Sequence, residues 1–398
     1  MSKRIFVTGM GMVSAIGKNI PDTLVSLSQS KSGLGKIRWI DTIHENEILV
    51  AEVGYSNNEL ASMLGIPNQD GYTRTTLLAL LAAKEAIASA NISDVHSLPT
   101  GLISGNTVGG MDKSEMYYYD YLKLKTPNSF IETHDCADST EKVADYFGID
   151  AFISTVSTAC SSAANAILLG ARLIQNGTLS RVVAGGTECL TKFHINGFNS
   201  LKILDPNPCK PFDKNRMGIN LGEGAGFVVL ESEEALQTPE RIVCELSGWG
   251  NACEAFHQTA SSPDGNGAFL AMKKALDMSG LKPADIAYIN AHGTGTDNND
   301  VSEGTAIQNL FAPTIPYVSS TKPFTGHTTS AAGVIESIIS ILGMKNNMIF
   351  PNLNFTEQID ELSFKPVTEL KQDVEQKHVL SNSFGFGGNN TALIFSKL

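Results

Sequence analysis

Ser157-Thr158-Ala159-Cys160-Ser161-Ser162-Ala163-Ala164-Asn165-Ala166-Ile167 resembles a later stretch, Thr325-Gly326-His327-Thr328-Thr329-Ser330-Ala331-Ala332-Gly333-Val334-Ile335. Each follows a serine- and threonine-rich segment and opens a run that is apolar on nearly all sides, 161–176 and 330–342. A helix with so little polar face must be covered all round, so it lies between layers. Two such helices predict two sheets packed around them in an α/β architecture. The echo divides the chain into two similar halves, 1–235 and 236–398, with Cys160 and His327 at matching helix starts.

The flanking sequence suits that plan. Residues 151–156 read as a buried strand entering the first helix. Strands are also predicted at 4–8, 100–104, 181–184, 226–231, 241–248, 286–290 and 391–395. Helices are predicted at 76–90, 267–279 and 301–311. The 36 glycines cluster at the ends of apolar runs, where short turns are needed.

Apolar residues make up 42% of the 398 positions and charged residues 18%, which excludes disorder, collagen and coiled coil. The net charge of −12 disfavours a protein that coats nucleic acid or anionic lipid. The best apolar run, 77–83, stops at Lys84, far short of a membrane span. Met1-Ser2-Lys3-Arg4 resembles the start of a leader, but Thr8-Gly9 breaks the apolar run and no A-x-A site follows. The expectation is a mature cytoplasmic N-terminus without membrane insertion. The six cysteines show neither C-x-x-C nor a disulfide-like spacing, so a reduced compartment is expected.

Only Cys160 has a reactive context, between an apolar strand and an apolar helix. Free N–H groups at a helix start lower a thiol pKa and can hold an oxyanion. Read alone, Cys160 is as readily a small buried hydrophobe. His292 lies in Asn290-Ala291-His292-Gly293-Thr294-Gly295-Thr296, after a strand, and Lys322 precedes His327 by five residues. Each is unremarkable singly. With Cys160 they supply a nucleophile, two imidazoles and a cation, the set that thioester chemistry needs. Ser381-Asn382-Ser383-Phe384-Gly385-Phe386-Gly387-Gly388 reads as a hairpin or as a gate. Gly9-Met10-Gly11 lacks the third glycine of a dinucleotide fingerprint, and His134-Asp135-Cys136 lacks a second ligand pair for a metal.

These four segments, with the opening 4–17 and Leu221-Gly222-Glu223-Gly224-Ala225-Gly226, resemble the β-ketoacyl-[acyl-carrier-protein] synthases of the elongating Cys-His-His type. The likeness runs nearly the whole chain in the expected order. It implies the thiolase-like fold, two duplicated βαβαβαββ halves in a five-layered αβαβα structure, usually as a homodimer. It implies acyl transfer to Cys160 and decarboxylative condensation with malonyl-acyl carrier protein, in fatty acid or related polyketide or aryl polyene synthesis.

Carried over by position, His292 and His327 would bind the malonyl thioester carbonyl, and the N–H groups of Cys160 and Phe386 would hold the oxyanion. Lys322 would pair with Glu303. Thr294 and Thr296 would bond the phosphopantetheine arm, which arrives on the carrier protein, so no cofactor is required. Phe386 would gate an acyl pocket lined by Phe198. Asn290, Glu336, Ser381 and Asn382 match positions that hold a monovalent cation, Na⁺ or K⁺, in some members.

The carrier is acidic, so a basic face is expected in 190–220, where Lys192, Lys202, Lys210, Lys214 and Arg216 face Asp205 and Asp213. Pro323-Phe324, Thr328-Thr329-Ser330, Asp297-Asn298-Asn299-Asp300 and the tyrosines 117, 118, 119 and 121 depart from the housekeeping pattern and point toward secondary metabolism. A thiolase would bring a second cysteine near the C-terminus, and an initiating synthase would carry Asn at His327. A chain-length-factor-like partner subunit of a heterodimer would lack the nucleophile; pairing with such a partner stays open.

Overall fold

The computed structural model describes residues 3–125, 129–236 and 238–398; Met1 and Ser2 of the leader-like start lie outside them. Ten strands carry the fold. The first five are β1 (Ile5–Ser14), β2 (Thr100–Gly105), β3 (Phe152–Val156), β4 (Arg181–Glu188) and β5 (Gly224–Ser232). The second five are β6 (Cys244–Cys253), β7 (Tyr288–Asn290), β8 (Tyr317–Ser319), β9 (His378–Gly385) and β10 (Asn389–Ser396).

Their spatial order is β3-β2-β4-β5-β1, then β6-β10-β9-β7-β8. In the first set β3, β2 and β4 are parallel, and β5 and β1 antiparallel. The second set repeats this, with β8, β7 and β9 parallel and β10 and β6 antiparallel. The sets meet where Phe6 and Val7 of β1 pair with Glu245 and Cys244 of β6.

Five helices complete the layers: α1 (Arg74–Ser89), α2 (Ser162–Gln175), α3 (Asn266–Ser279), α4 (Asp297–Phe311) and α5 (Ala332–Asn346). The apolar helices α2 and α5 lie in the centre, where Ile167 and Ile338 share one core with Val228 of β5 and Phe395 of β10. Outside, α1 packs on the first set through Ala82 and Ala86, and α3 and α4 pack on the second through Ala271 and Ile307. Strand alternation makes this possible: Val228 and Leu230 face the centre, while Phe227 and Val229 face α1. This is the five-layered thiolase-like arrangement.

Gly9 and Gly11 have a packing role. A Cβ at either would lie 2.3 Å from the carbonyl oxygen of Ala86 or 2.2 Å from that of Ala82, so α1 can lie directly on β1. Gly248 and Gly250 of β6 do the same beneath α3, at 2.4 and 2.2 Å from Ala275 and Ala271.

One expectation fails. Residues 151–156 are only partly covered, because β3 has a single neighbour and ends the sheet; Ile153 is 41% exposed. The helix Met111–Leu124 likewise presents Met116, Tyr118, Tyr119, Leu122 and Leu124 outward. No helix among the described residues is long and apolar enough to cross a membrane.

Candidate active site

The turn from β3 into α2 presents Cys160. Ala159 takes a left-handed φ of 51°, a conformation that costs about 1–3 kcal/mol and persists only when its surroundings impose it. Ser162 imposes it: its Oγ donates to the Ala159 carbonyl at 2.6 Å and accepts from the Thr158 N–H at 2.9 Å.

His327 reaches the same point from the other half. Its N–H donates to the Asn220 carbonyl at 2.7 Å, and its carbonyl accepts from Gly222 at 3.0 Å. Gly222 permits this approach, since a Cβ there would lie 2.1 Å from the Thr325 carbonyl oxygen. The result is a separation of 3.0 Å between His327 Nε2 and Cys160 Sγ.

His292 follows β7 and is held by its backbone. Glu303, on α4, accepts from the N–H groups of His292 at 2.9 Å and Gly293 at 2.8 Å, and from Asn382 Nδ2 at 3.0 Å. The rings of His292 and His327 stand edge to face with centroids 5.3 Å apart. Ligand-type atoms of Cys160, His292 and His327 all lie within 4.8 Å of one another.

Lys322 does not pair with Glu303. Its Nζ donates to Glu336 Oε1 at 2.5 Å and to His292 Nδ1 at 3.3 Å. Glu336 projects from the buried helix α5 toward Lys322, whereas Glu303 is occupied by backbone N–H groups. The contact also fixes a tautomer: an ammonium can only donate, so His292 Nδ1 accepts and Nε2 carries the proton.

Burial dominates the electrostatics. It pushes the Cys160 thiol up to about 11, against the lowering effects of Lys322 and the Phe386 N–H, so the thiol is neutral near pH 7. The helix start alone does not ionise it. Burial and the Lys322 charge hold His292 and His327 well below the ordinary imidazole value, so both are neutral. Burial also raises Glu303 to about 6 and Glu336 to about 7.

A cavity of about 220 Å³ leads to Cys160, His292 and His327. Thr294 and Thr296 line it with their hydroxyls 2.9 Å apart, and Lys202 stands at its wall. Phe386 and Phe198, stacked at 5.9 Å, also line it. His194, on the same helix (Lys192–Ser200), is buried with its ring 6.2 Å from Phe198, and burial pushes it down to about 4. Sequence reasoning missed it; the signal was the i, i+4 spacing from Phe198, which puts both on one helix face.

The expected basic face is smaller than its sequence implies. Arg216 is buried and donates to the carbonyls of Asp213, Thr296 and Asp297. Lys214 pairs with Glu357 and Asp360, and Lys192 faces Asp41. Lys202 and Lys210 carry no ion pair among the described residues.

Asn290 and Ser381, paired across β7 and β9, lie on the side of the sheet that carries Glu336, whereas the Asn382 side chain points to the other side, toward Glu303 and Met272. Asn290 Oδ1, Glu336 Oε2, Ser381 Oγ and Asn382 Oδ1 are buried without a hydrogen-bond partner among the described residues. The amide nitrogens are spent elsewhere, on Thr321 and the Glu336 carbonyl for Asn290 and on Glu303 for Asn382. Orphaned oxygens of this kind suit a hard cation.

Known proteins resemble this chain throughout. It matches the Beta-ketoacyl synthase N-terminal domain over residues 2–235 and the C-terminal domain over residues 243–356. It is 33% identical over 411 residues to the 3-oxoacyl-[acyl-carrier-protein] synthase 2 of Staphylococcus aureus, covering 100% of this chain and 99% of that one. The enzyme of the same name from Synechocystis sp. is also 33% identical over 411 residues, covering 99% and 98%. Among solved structures, the ishigamide ketosynthase/chain length factor superposes with a TM-score of 0.94 at 27% identity, covering 100% of both chains. A ketosynthase (ApeO) in complex with its chain length factor (ApeC) from Xenorhabdus doucetiae gives 0.85 at 29%, covering 100% of this chain and 98% of that one. With matches that span both sheet sets and relatives alike from end to end, the chain belongs to the β-ketoacyl synthase family.

Proposed function

We propose that the protein joins an acyl thioester to malonyl-acyl carrier protein with loss of carbon dioxide, giving a 3-oxoacyl-acyl carrier protein. The observation that carries this is the meeting of Cys160, His292 and His327 within 4.8 Å at the end of a cavity. Cys160 sulfur attacks the acyl thioester while His327 Nε2 takes its proton; the carrier thiolate that leaves is protonated from solvent, and His327 sheds its Nδ1 proton to solvent, which leaves it as the Nε2–H tautomer. The malonyl thioester then binds with its carbonyl oxygen against His292 Nε2–H and against His327 in its Nε2–H tautomer. The bond to the carboxylate breaks, carbon dioxide leaves, and the electron pair becomes an enolate held by both donors. Its carbon attacks the acyl-Cys160 carbonyl. The tetrahedral oxyanion faces the N–H groups of Cys160 and Phe386, then collapses and expels the Cys160 thiolate.

Neutral imidazoles suit this role: a neutral His327 can accept the Cys160 proton, and each neutral ring still offers one N–H to the enolate oxygen. Thr294 and Thr296 line the path of the phosphopantetheine arm, and Phe386 on Phe198 closes the acyl side. Asn290, Glu336 and Ser381 would hold a Na⁺ or K⁺ ion, whose charge would steady Glu336 beside Lys322, and the Asn382 side chain would stand apart from it. Lys202 and Lys210 border the carrier dock. The exposed face of Met111–Leu124 and the edge β3 would meet a second copy of this chain or a chain-length-factor-like partner; both solved relatives above pair a ketosynthase with a chain length factor, which supports a paired arrangement of one kind or the other.

Intact-protein mass spectrometry with a panel of acyl carriers tests the proposal. The wild type gains the mass of each accepted acyl group, and Cys160→Ala gains none and forms no 3-oxoacyl product. An adduct that persists in Cys160→Ala overturns it.

A further inference from the structure

The two N–H groups facing the oxyanion belong to different segments, the turn bearing Cys160 and the loop bearing Phe386. Their alignment therefore depends on whatever ties turn to loop. The backbone approach is tight, since a Cβ at Gly385 would lie 2.8 Å from the Thr158 carbonyl oxygen and 3.2 Å from Cys160 N. Side chains add a tie just beyond the loop, at Asn389. Its Oδ1 accepts from Ser161 Oγ at 2.9 Å, Asn165 Nδ2 at 2.8 Å and Asn251 Nδ2 at 2.9 Å. Ser161 follows the nucleophile directly, and Asn165 sits one turn along α2.

The network is closed behind this oxygen. Asn165 Nδ2 also donates to Thr158 Oγ1 at 2.9 Å, and Asn165 Oδ1 accepts from Asn251 Nδ2 at 3.0 Å and Thr391 Oγ1 at 2.8 Å. The Asn165 and Asn251 amide nitrogens both point at the Asn389 oxygen, and the network assigns that oxygen as their common acceptor. One acceptor thus joins the nucleophile turn, α2 and β6 to the end of the Phe386 loop.

We infer that Asn389 is a positioning residue that holds the Phe386 N–H in register with the Cys160 N–H, and so sets oxyanion stabilisation without touching substrate. The inference rests on the condensing-enzyme reading above. It separates two reactions of one site. Acyl transfer to Cys160 passes through a tetrahedral oxyanion at these N–H groups. Malonyl decarboxylation without an acyl donor uses His292 and His327 instead: the carboxylate bond breaks, carbon dioxide leaves, and the enolate takes a solvent proton to give the acetyl carrier.

The test compares Asn389→Ala and Asn389→Asp with wild type, following acyl loading by mass spectrometry and decarboxylation by acetyl-carrier formation. Removing one oxyanion donor costs about 10²–10³ in rate, and misplacing one costs less. Asn389→Ala is expected to slow loading roughly 10–100-fold and leave decarboxylation within about twofold. Asn389→Asp, which keeps an acceptor oxygen, is expected to restore loading to within about threefold of wild type. Unchanged loading in Asn389→Ala, or an equal fall in both reactions, overturns the inference. A wild type that neither loads nor decarboxylates overturns the functional reading instead.

Discussion

Cys160 Sγ lies 3.0 Å from His327 Nε2, although 167 positions of chain separate the two residues. Each stands before a central helix, α2 or α5, and the packing of those helices against each other brings thiol and imidazole together. The chemistry depends on that packing, and its consequences can be measured.

Lys322 and Glu336 form a buried ion pair at 2.5 Å. Removing one partner from such a pair costs about 3–5 kcal/mol, because the other charge is left uncompensated. Lys322→Met is expected to lose roughly that much in urea unfolding at pH 8, and Lys322→Met with Glu336→Gln to recover most of it. Equal instability of the single and double variants would show that volume, not charge, matters there.

The Cys160 thiol, raised to about 11 by burial, should react slowly with iodoacetamide at neutral pH. Its alkylation rate is expected to climb about tenfold per pH unit between roughly pH 7 and 9, as the thiolate fraction grows. Mass spectrometry of the modified peptide gives the rate. A plateau already reached at pH 7 would mean that the sulfur is ionised at rest.

Glu188 accepts from Thr107 Oγ1 at 2.7 Å and from the Ser330 N–H at 3.2 Å, yet burial raises it to about 7. The folded protein then binds this proton more tightly than the unfolded chain does. The stabilisation is full below the unfolded value of about 4.3 and is lost as pH rises through 7. Wild type should therefore fall relative to Glu188→Gln by up to about 3 kcal/mol between roughly pH 4.3 and 7.5. Parallel stability curves for the two proteins would refute this.

Lys202→Glu with Lys210→Glu should raise the KM for the carrier substrate roughly 3–10-fold at low salt, with kcat little changed. The difference should shrink above about 0.5 M salt, where exposed charges are screened. Steady-state kinetics at two ionic strengths measures both effects, and a salt-independent change would point to misfolding of the segment.

The sequence made α2 and α5 legible because helices apolar on all sides have one place to go. It made Cys160, His292 and His327 legible through resemblance and local context. The partner of Lys322 was not legible: Glu303 and Glu336 are both plausible acids, and only the fold shows that backbone N–H groups claim the first. The edge position of β3 was hidden for a related reason. Apolar composition reports that a strand packs against a core, not how many strands flank it, so the number of neighbours of 151–156 could not be read from it. Arg216 and Lys214 looked like a docking face because their internal partners, Asp297, Glu357 and Asp360, lie far along the chain.

The seam between the two strand sets is two residue pairs wide, Phe6 with Glu245 and Val7 with Cys244. Backbone pairing there is too slight to be the fastener; that task falls to α2 and α5, whose side chains are shared by both sets. Neither half can therefore be excised as a minimal catalyst, since each would carry a helix stripped along one flank. Chimaeras that trade residues 1–235 or 236–398 between relatives will work only if the two central helices are transplanted as a matched pair.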